Sequence, residues 1–180
     1  MDYQTIIDRY YPVDTRRREI YLQHATQVAD LAVSLARRVN INIPDERIRT
    51  AAMLHDIGIF LTDAPGIDCH GSEPYIRHGI LGAQLLRQLG MPEEVARVAE
   101  RHTGAGITVA DIDELNLPLP RHDLMPESLL ERLICYADKF YSKSGNMQQK
   151  SWDRVIDSMK RHSSATLARF LKLASEFPRP

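Results

Sequence analysis

The feature that most constrains the fold is a helical spacing of apolar residues that recurs through almost the whole chain. Between residues 14 and 39, one stripe with a period of about 3.6 residues is formed by His24, Val28, Leu31, Leu35 and Val39. No segment of the sequence shows the sustained alternation of apolar and polar residues that is typical of a half-buried strand. The sequence therefore predicts an all-α fold, a compact bundle of about six to eight helices.

Glycine, proline and capping residues place the boundaries of the predicted helices. The predicted segments are 14–39, 43–56, 73–90, 91–104, 108–115, 126–141 and 151–177. Asp14 and Asp45 are the expected N-caps of the first two segments, because their side chains can accept hydrogen bonds from the first helical turn. Ser163 or Ser164 is expected to divide the last segment into two helices.

The length of 180 residues fits a single domain. We expect one domain over residues 1–180, with a core at about 21–141 and a C-terminal helical appendage at 146–180 that packs on it. The stretches 61–75 and 104–125 are expected to be mostly irregular, the second with the short helix 108–115 inside it, and loops of such length are often functional.

Composition argues against several classes of function. The net charge is -1 and hydrophobic residues make up 43% of the chain, so a core is available but a broadly basic surface is not. Nucleic acid is therefore not an expected partner, since its binding draws on clustered positive charge. No apolar run reaches the roughly 18 residues of a membrane span. Because Cys69 and Cys135 form no disulfide framework and the N-terminal stretch is unlike a secretory signal, we predict a cytoplasmic protein.

An imidazole and a carboxylate stand side by side in the apolar run "AAMLHDIGIF", as His55 and Asp56. A buried carboxylate is costly unless it is paired or binds a metal. Other segments bring further candidates to their inner faces, namely His24, His78, His102 and Asp138. Each histidine alone is more often an ordinary core residue, but six such groups on five segments favour a metal site. Six ligands exceed one tetrahedral site, so a dinuclear centre with a bridging carboxylate is expected.

The order of these residues carries a family resemblance. A histidine, the intact "LHDIG" and a later aspartate resemble the HD superfamily of metal-dependent phosphohydrolases, over residues 21–141. The further histidines in "RHGILGAQLL" and "ERHTGAGIT" are similar to a branch typified by YqeK-type hydrolases, which cleave diadenosine tetraphosphate symmetrically with a di-iron centre. The resemblance implies that one metal is held by His24, His55, Asp56 and Asp138, and that Asp56 bridges to a second metal completed by His78 and His102.

The function implied is hydrolysis of a nucleotide or small phosphoester by water that two metal ions activate, with Asp56 central to catalysis. The ions are expected to be iron, with manganese, zinc, cobalt and nickel as alternatives. Many relatives carry a lysine shortly after the HD pair, where this chain has Ile59 and Phe60. Positive or hydrogen-bonding side chains must therefore come from elsewhere. The candidates are Lys139 and Thr103 for catalysis, and Arg77, Arg101 and Lys143 for substrate binding.

Two other functions remain open, a nucleotide sensor without turnover and a di-iron oxygenase on the same fold. A third metal site at Asp68, Cys69 and His70 can also be imagined, although a polar loop is the favoured interpretation of this stretch. The sequence leaves the oligomeric state open.

Overall fold

The fold is an assembly of nine α-helices in a computed structural model that describes residues 2–180. The helices are α1 Tyr3–Tyr10, α2 Arg16–Arg38, α3 Asp45–Leu54, α4 His78–Gln88, α5 Glu93–Arg101, α6 Val109–Glu114, α7 Leu129–Asp138, α8 Trp152–His162 and α9 Ser164–Ala174. Two short antiparallel strands, β1 (Asp63–Ala64) and β2 (Cys69–His70), pair Asp63 with His70 and Ala64 with Cys69. The predicted all-α class is confirmed.

The N-terminal part of the chain differs from the sequence prediction in two places. Helix α1 was not predicted, because its only buried residues, Ile6 and Ile7, are adjacent and give no helical period. Asp14 does not cap α2, since it adopts a left-handed conformation with φ of 63°. Thr15 takes that role, and its hydroxyl accepts a hydrogen bond from the backbone N–H of Arg18. Asp45 is likewise the first residue of α3 rather than its cap.

The long helix α2 is the centre of the core and packs against both α3 and α7. Buried tyrosines tie its surroundings to the chain around the HD pair. The Tyr21 hydroxyl donates to the backbone oxygen of Met53 at 2.6 Å, and the Tyr11 hydroxyl donates to that of Ile57 at 3.0 Å. Each bond satisfies a buried carbonyl where α3 ends, so the backbone on either side of His55 and Asp56 is fixed.

Two glycines allow the segment after the HD pair to lie directly against α4. A Cβ atom on Gly58 would be 2.3 Å from the backbone oxygen of His78 and 2.4 Å from the backbone nitrogen of Gly82. A Cβ on Gly82 would in turn meet the backbone nitrogen of Gly58 at 3.1 Å. The glycine of the HDIG sequence is therefore required by close backbone packing, which brings Asp56 and His78 together.

Helix α9 and the chain after it pack on α7 through aromatic rings, and α8 packs on α9. Tyr136 on α7 contacts Phe140, Phe170 and Phe177 with ring centroids 5.1–5.9 Å apart. Ser163 caps α9 by accepting the backbone N–H of Thr166, as the sequence predicts. Within residues 2–180, no helix is both long enough and apolar enough to cross a membrane.

Candidate metal centre

The six candidate ligands lie mostly at helix ends, where the local backbone aims their side chains at one point. His24 is inside α2, while His55 and Asp56 follow directly after α3. His78 is the first residue of α4, His102 follows directly after α5, and Asp138 is the last residue of α7. All six are buried, with 9% or less of their surface exposed. Such burial of polar groups implies that they satisfy one another or a bound ion.

The first group of ligands consists of His24, His55, Asp56 and Asp138. Its ligand atoms all lie within 4.8 Å of one another. Nε2 of His24 is 3.0 Å from Oδ1 of Asp138 and 3.1 Å from Oδ2 of Asp56. It is also 3.2 Å from Nε2 of His55. Two imidazoles and two carboxylates thus surround one small volume.

The second group consists of Asp56, His78 and His102, and it shares Asp56 with the first. Nε2 of His78 and Nε2 of His102 are 3.1 Å apart. The same nitrogens lie 3.4 Å and 3.3 Å from Oδ1 of Asp56. Since Oδ2 faces the first group, the two oxygens of one carboxylate contact two adjoining groups of candidate ligands.

Backbone carbonyls fix the orientation of three of the four imidazoles. The bonds join Nδ1 of His55 to the oxygen of Ala52 at 2.5 Å, Nδ1 of His78 to that of Tyr75 at 2.7 Å, and Nδ1 of His102 to that of Ala99 at 2.8 Å. A carbonyl only accepts, so each Nδ1 carries the hydrogen and, in a neutral ring, Nε2 presents its lone pair to the cluster. Among residues 2–180, the buried Nδ1 of His24 has no such partner.

Burial keeps the second pair of histidines neutral. It lowers the pKa of His78 to about 3, and it also lowers the pKa of His102. Two lone pairs therefore face each other across 3.1 Å and face Oδ1 of Asp56 as well. This arrangement is repulsive by itself, whereas a cation among the three atoms would be coordinated by all of them. The residues thus fit a divalent metal ion, for which neutral imidazole and carboxylate are common ligands.

The carboxylates of the first group also require positive charge. Burial by itself would raise the pKa of Asp56, but the Lys143 ammonium and His55 hold it well below its usual range. Burial would lower the pKa of His55, yet the carboxylates of Asp56 and Asp138 raise it to about 9. The cluster therefore keeps two negative charges and attracts a cation, either a proton on His55 or a metal ion.

Two lysines contact different carboxylates of the cluster. Lys143 reaches it from the chain after α7, with Nζ 2.6 Å from Oδ2 of Asp56. Lys139 is 8% exposed, and its Nζ lies 2.7 Å from Oδ2 of Asp138 while it donates to the backbone oxygen of His102 at 2.9 Å. It therefore links a ligand of the first group to the backbone of a ligand of the second, a geometry that suits positioning rather than substrate contact.

Three other predicted site residues contact different groups. Nη1 of Arg77 is paired with Glu73 at 2.6 Å, and Nη1 of Arg101 is paired with Glu127 at 2.8 Å. Within residues 2–180, the polar contacts of both arginines are with glutamates or, for Arg101, also with the backbone oxygen of Met125, and none involves the ligand cluster. Thr103 is half-buried, and its backbone oxygen accepts a hydrogen bond from Gly106. Their roles in catalysis or binding stay predictions.

The stretch around Cys69 behaves as a structural loop. Oδ2 of Asp68 accepts the backbone N–H of Arg17 at 3.2 Å, and Oδ1 of Asp68 lies 3.2 Å from Nε2 of His70. The Cys69 thiol is buried and points to the backbone oxygen of Ile67. These contacts favour the polar-loop interpretation over a third metal site.

Tyr75 lies beside the cluster and was not predicted as a site residue from the sequence. Its backbone oxygen holds Nδ1 of His78, and its ring stacks on the His78 ring with centroids 4.7 Å apart. The only signal in the sequence is an aromatic residue three positions before a ligand histidine, directly after Pro74. Nothing in that spacing distinguishes it from an ordinary core or surface tyrosine.

Comparison with known proteins identifies the family. A sequence model of the HD domain matches residues 21–142. The chain is 38% identical over 123 residues to an uncharacterized protein of Methanocaldococcus jannaschii, covering 67% of this chain and 65% of that protein. It is 29% identical over 140 residues to the tRNA (cytidine(56)-2'-O)-methyltransferase of Thermoplasma volcanium, covering 78% of this chain and 36% of that protein. It is also 38% identical over 103 residues to ribonuclease Y of Cutibacterium acnes, covering 54% of this chain and 17% of that protein.

Each of these relatives is thus longer than the region it shares with the chain, which spans less than two thirds of their length. Among solved structures, the fold is similar to the HD domain of the Listeria monocytogenes phosphodiesterase PgpH. The TM-score is 0.56 at 15% sequence identity, and the match covers 95% of this chain and 94% of that domain. The ordered ligand set, the helical fold and the match over residues 21–142 agree, and the chain belongs to the HD domain family.

Proposed function

We propose that this chain is a metal-dependent phosphohydrolase that uses a dinuclear His/Asp centre to hydrolyse a nucleotide or small phosphoester. The observation that carries the proposal is the shared carboxylate of Asp56. Its Oδ2 faces the group of His24 and His55, while its Oδ1 faces His78 and His102. Two adjoining ligand groups with one carboxylate between them suit a pair of ions, and paired ions are common in enzymes that cleave phosphoesters.

In this proposal His24, His55, Asp56 and Asp138 hold one ion, and Asp56, His78 and His102 hold the other. Bound divalent ions would supply Lewis-acid charge neutralisation on the phosphoryl group and lower the pKa of water. The chain itself provides rigid ligands, because carbonyl bonds fix three of the imidazole rings.

Lys143 is the side chain best placed to bind the phosphate of a substrate. Its ammonium lies at the edge of the cluster, and its side chain is 14% exposed. A substrate phosphate beside the ions can take over the contact that Lys143 makes with Asp56, so the charge pairing of the lysine is kept on binding. Burial opposes the charge of Lys143, but Asp56 raises its pKa, so it is an ammonium at neutral pH.

The similar proteins suggest which phosphoesters to test. The PgpH HD domain is known in complex with cyclic-di-AMP, which makes a nucleotide a reasonable substrate class. Ribonuclease Y is an RNA-cleaving relative by name, so a short RNA belongs in the same panel, although the net charge of -1 favours a smaller ligand. The resemblance to YqeK-type hydrolases adds diadenosine tetraphosphate, and iron as the first metal to try.

The test combines metal content with turnover. Protein purified without chelator is analysed for bound metals, then assayed with added iron, manganese, cobalt, nickel or zinc against an aryl phosphodiester, nucleotides, cyclic-di-AMP, diadenosine tetraphosphate and a short RNA. Asp56→Asn is expected to bind less than half the metal of the unmodified protein and to lose turnover, because both ligand groups lose their shared anion. Asp113→Asn, which removes a surface carboxylate paired with Arg121, is the matched control and should keep both.

Each other outcome identifies a different function. Metal-dependent nucleotide binding without hydrolysis of any compound would favour the sensor. Oxygen consumption by the iron-loaded protein with an organic phosphate, but without phosphate release, would favour the oxygenase. Unchanged metal content in Asp56→Asn would contradict the shared centre itself.

A further inference from the structure

A cleft opens beside the proposed centre, between the loop that carries β1 and β2 and the chain after α7. Its volume is about 340 Å³, and its walls are Ala64, Gly66, Ile67, Tyr75, Lys143 and Ser144. Two of these residues contact the ligand cluster directly. Tyr75 stacks on His78, and Lys143 contacts Asp56. A molecule in the cleft would therefore touch groups that also touch the ligands.

The ring of Tyr75 offers a flat contact surface in this cleft. One side of the ring is covered by His78, with an angle of 26° between the two planes. The residue is nevertheless 37% exposed, so part of the ring remains accessible. Its backbone bond to His78 and the stacking between the two rings hold it in place. A rigid, accessible aromatic ring is the usual partner for a flat heterocycle, because every nucleobase has a π-face that can stack.

Lys143 supplies the positive charge next to that ring. Its Nζ lies 6.0 Å from the centre of the Tyr75 ring and 2.6 Å from Oδ2 of Asp56. An anion held by this ammonium would therefore lie close to both the ring and the ligand cluster. The sugar of a nucleotide bridges a gap of this kind between its phosphate and its base. Ala64 and Ile67 provide the apolar remainder of the walls, as in most small-molecule sites.

We propose that this cleft is a nucleoside site, in which a base stacks on Tyr75 while its 5'-phosphate contacts Lys143 at the edge of the centre. The inference rests on the proposed phosphohydrolase function and names the part of its substrate that this site recognises. The volume is at the small end of ligand sites and accommodates one nucleoside, so the second half of a dinucleotide would extend outside the cleft. Tyr75 then determines specificity for a base, and Gly66 keeps the space open.

The test compares two ligands that share a phosphorylated ribose and differ only in the base, AMP and ribose 5-phosphate. Their dissociation constants are measured by calorimetry with manganese-loaded protein, and phosphate release is followed in parallel. The unmodified protein should bind AMP at least about tenfold more tightly, the size of effect that stacking on one aromatic residue produces. Tyr75→Leu should remove this preference and leave the affinity for ribose 5-phosphate unchanged. Tyr75→Phe should restore it, because the ring is retained.

A second variant tests the cleft without altering the ring on His78. A Cβ added at Gly66 has no atom within 4 Å, and the residue has no left-handed conformation, so Gly66→Leu should fold normally while occupying the cleft. It should lose the preference for AMP and keep its metal and its affinity for ribose 5-phosphate. Gly66→Ala is the matched control and should resemble the unmodified protein.

The outcomes separate this inference from the function on which it rests. Equal affinity of the unmodified protein for AMP and ribose 5-phosphate, or no binding of either, would overturn the nucleoside site. An equal loss for both ligands in Tyr75→Leu would also overturn it, since that result indicates damage through His78. Equal affinity for the two compounds together with hydrolysis of both would leave the phosphohydrolase standing without this site. A clear preference for AMP without hydrolysis of any compound in the wider panel would support the site and remove the hydrolase.

Discussion

Replacing Lys139 by methionine should destabilise the metal-free protein much more than the metal-loaded protein. The Lys139 ammonium lies 2.7 Å from the Asp138 carboxylate, and both residues are at least nine-tenths buried. Burial opposes the charge of each, but Asp138 raises the pKa of Lys139, and Lys139 helps to hold the pKa of Asp138 well below its usual range. Methionine fills a similar volume and removes the charge, so it isolates the electrostatic contribution.

The expected magnitude follows from what remains around Asp138. Removing one partner of a buried ion pair costs about 3–5 kcal/mol, because the other charge stays buried and unpaired. Since His24 and His55 still lie 3.0 Å and 3.5 Å from Asp138, we expect the lower end, about 3 kcal/mol, without metal. An ion on Asp138 supplies the missing charge, which leaves mainly the lost bond to the backbone oxygen of His102, worth about 1 kcal/mol. The losses of stability without and with metal thus differ by about 2 kcal/mol. By linkage, the folded variant should bind metal roughly 30-fold more tightly than the unmodified protein does.

The assay is urea unfolding followed by circular dichroism, with excess manganese or with chelator. Lys150→Met is the matched control, because the Lys150 ammonium donates to the backbone oxygens of Lys139 and Tyr141 rather than to a carboxylate. Its loss should be the same with and without metal. Equal destabilisation of Lys139→Met in both conditions, or a loss below about 1 kcal/mol without metal, would show that Asp138 does not depend on the charge of Lys139.

Three further predictions concern single positions. His102→Ala should retain about one metal per chain and lose most turnover. The control His122→Ala, which changes an exposed histidine, should keep two metals. Two metals with full turnover in His102→Ala would contradict the second ligand group. Lys143→Gln should weaken binding of inorganic phosphate to the metal-loaded protein about tenfold without changing metal content, and an unchanged phosphate affinity would exclude Lys143 from the site. Gly58→Ala should cost about 3 kcal/mol of stability in chemical unfolding, because its Cβ would meet backbone atoms that cannot move away. Gly66→Ala should be neutral, and equal stabilities of these two variants would refute the close-packing argument.

The sequence was most informative where residue type and helical period acted together. Periodic apolar residues predicted the all-α class, and the type of the six polar residues singled them out from the core around them. Ser163 was recognisable as a cap because its role depends only on the next few residues. Helix α1 was missed because its eight residues bury only Ile6 and Ile7, which lie on no repeating stripe.

The direction of side chains beyond the ligands could not be obtained in this way. Lys139 follows Asp138 in sequence and its role in catalysis stays a prediction, but its contacts with the Asp138 carboxylate and with the backbone oxygen of His102 could not be obtained from the sequence. Arg101 precedes His102, yet it pairs with Glu127 rather than with the ligand cluster. Neighbours on a helix point in different directions, so proximity in sequence to a ligand is weak evidence of proximity to the site. Tyr75 had no distinguishing pattern at all.

The chain has no lysine directly after the HD pair, and the structure explains why. Ile59 is completely buried in the core, and Phe60 packs against that core and stacks on Tyr10 of α1 with ring centroids 5.2 Å apart. A lysine at either position would have to bury its charge among these rings or disturb them. The positive charge beside Asp56 comes instead from Lys143, 87 positions further along the chain (143 minus 56). Because the missing charge is supplied by a distant element, the departure at Ile59 and Phe60 is no argument against phosphate binding.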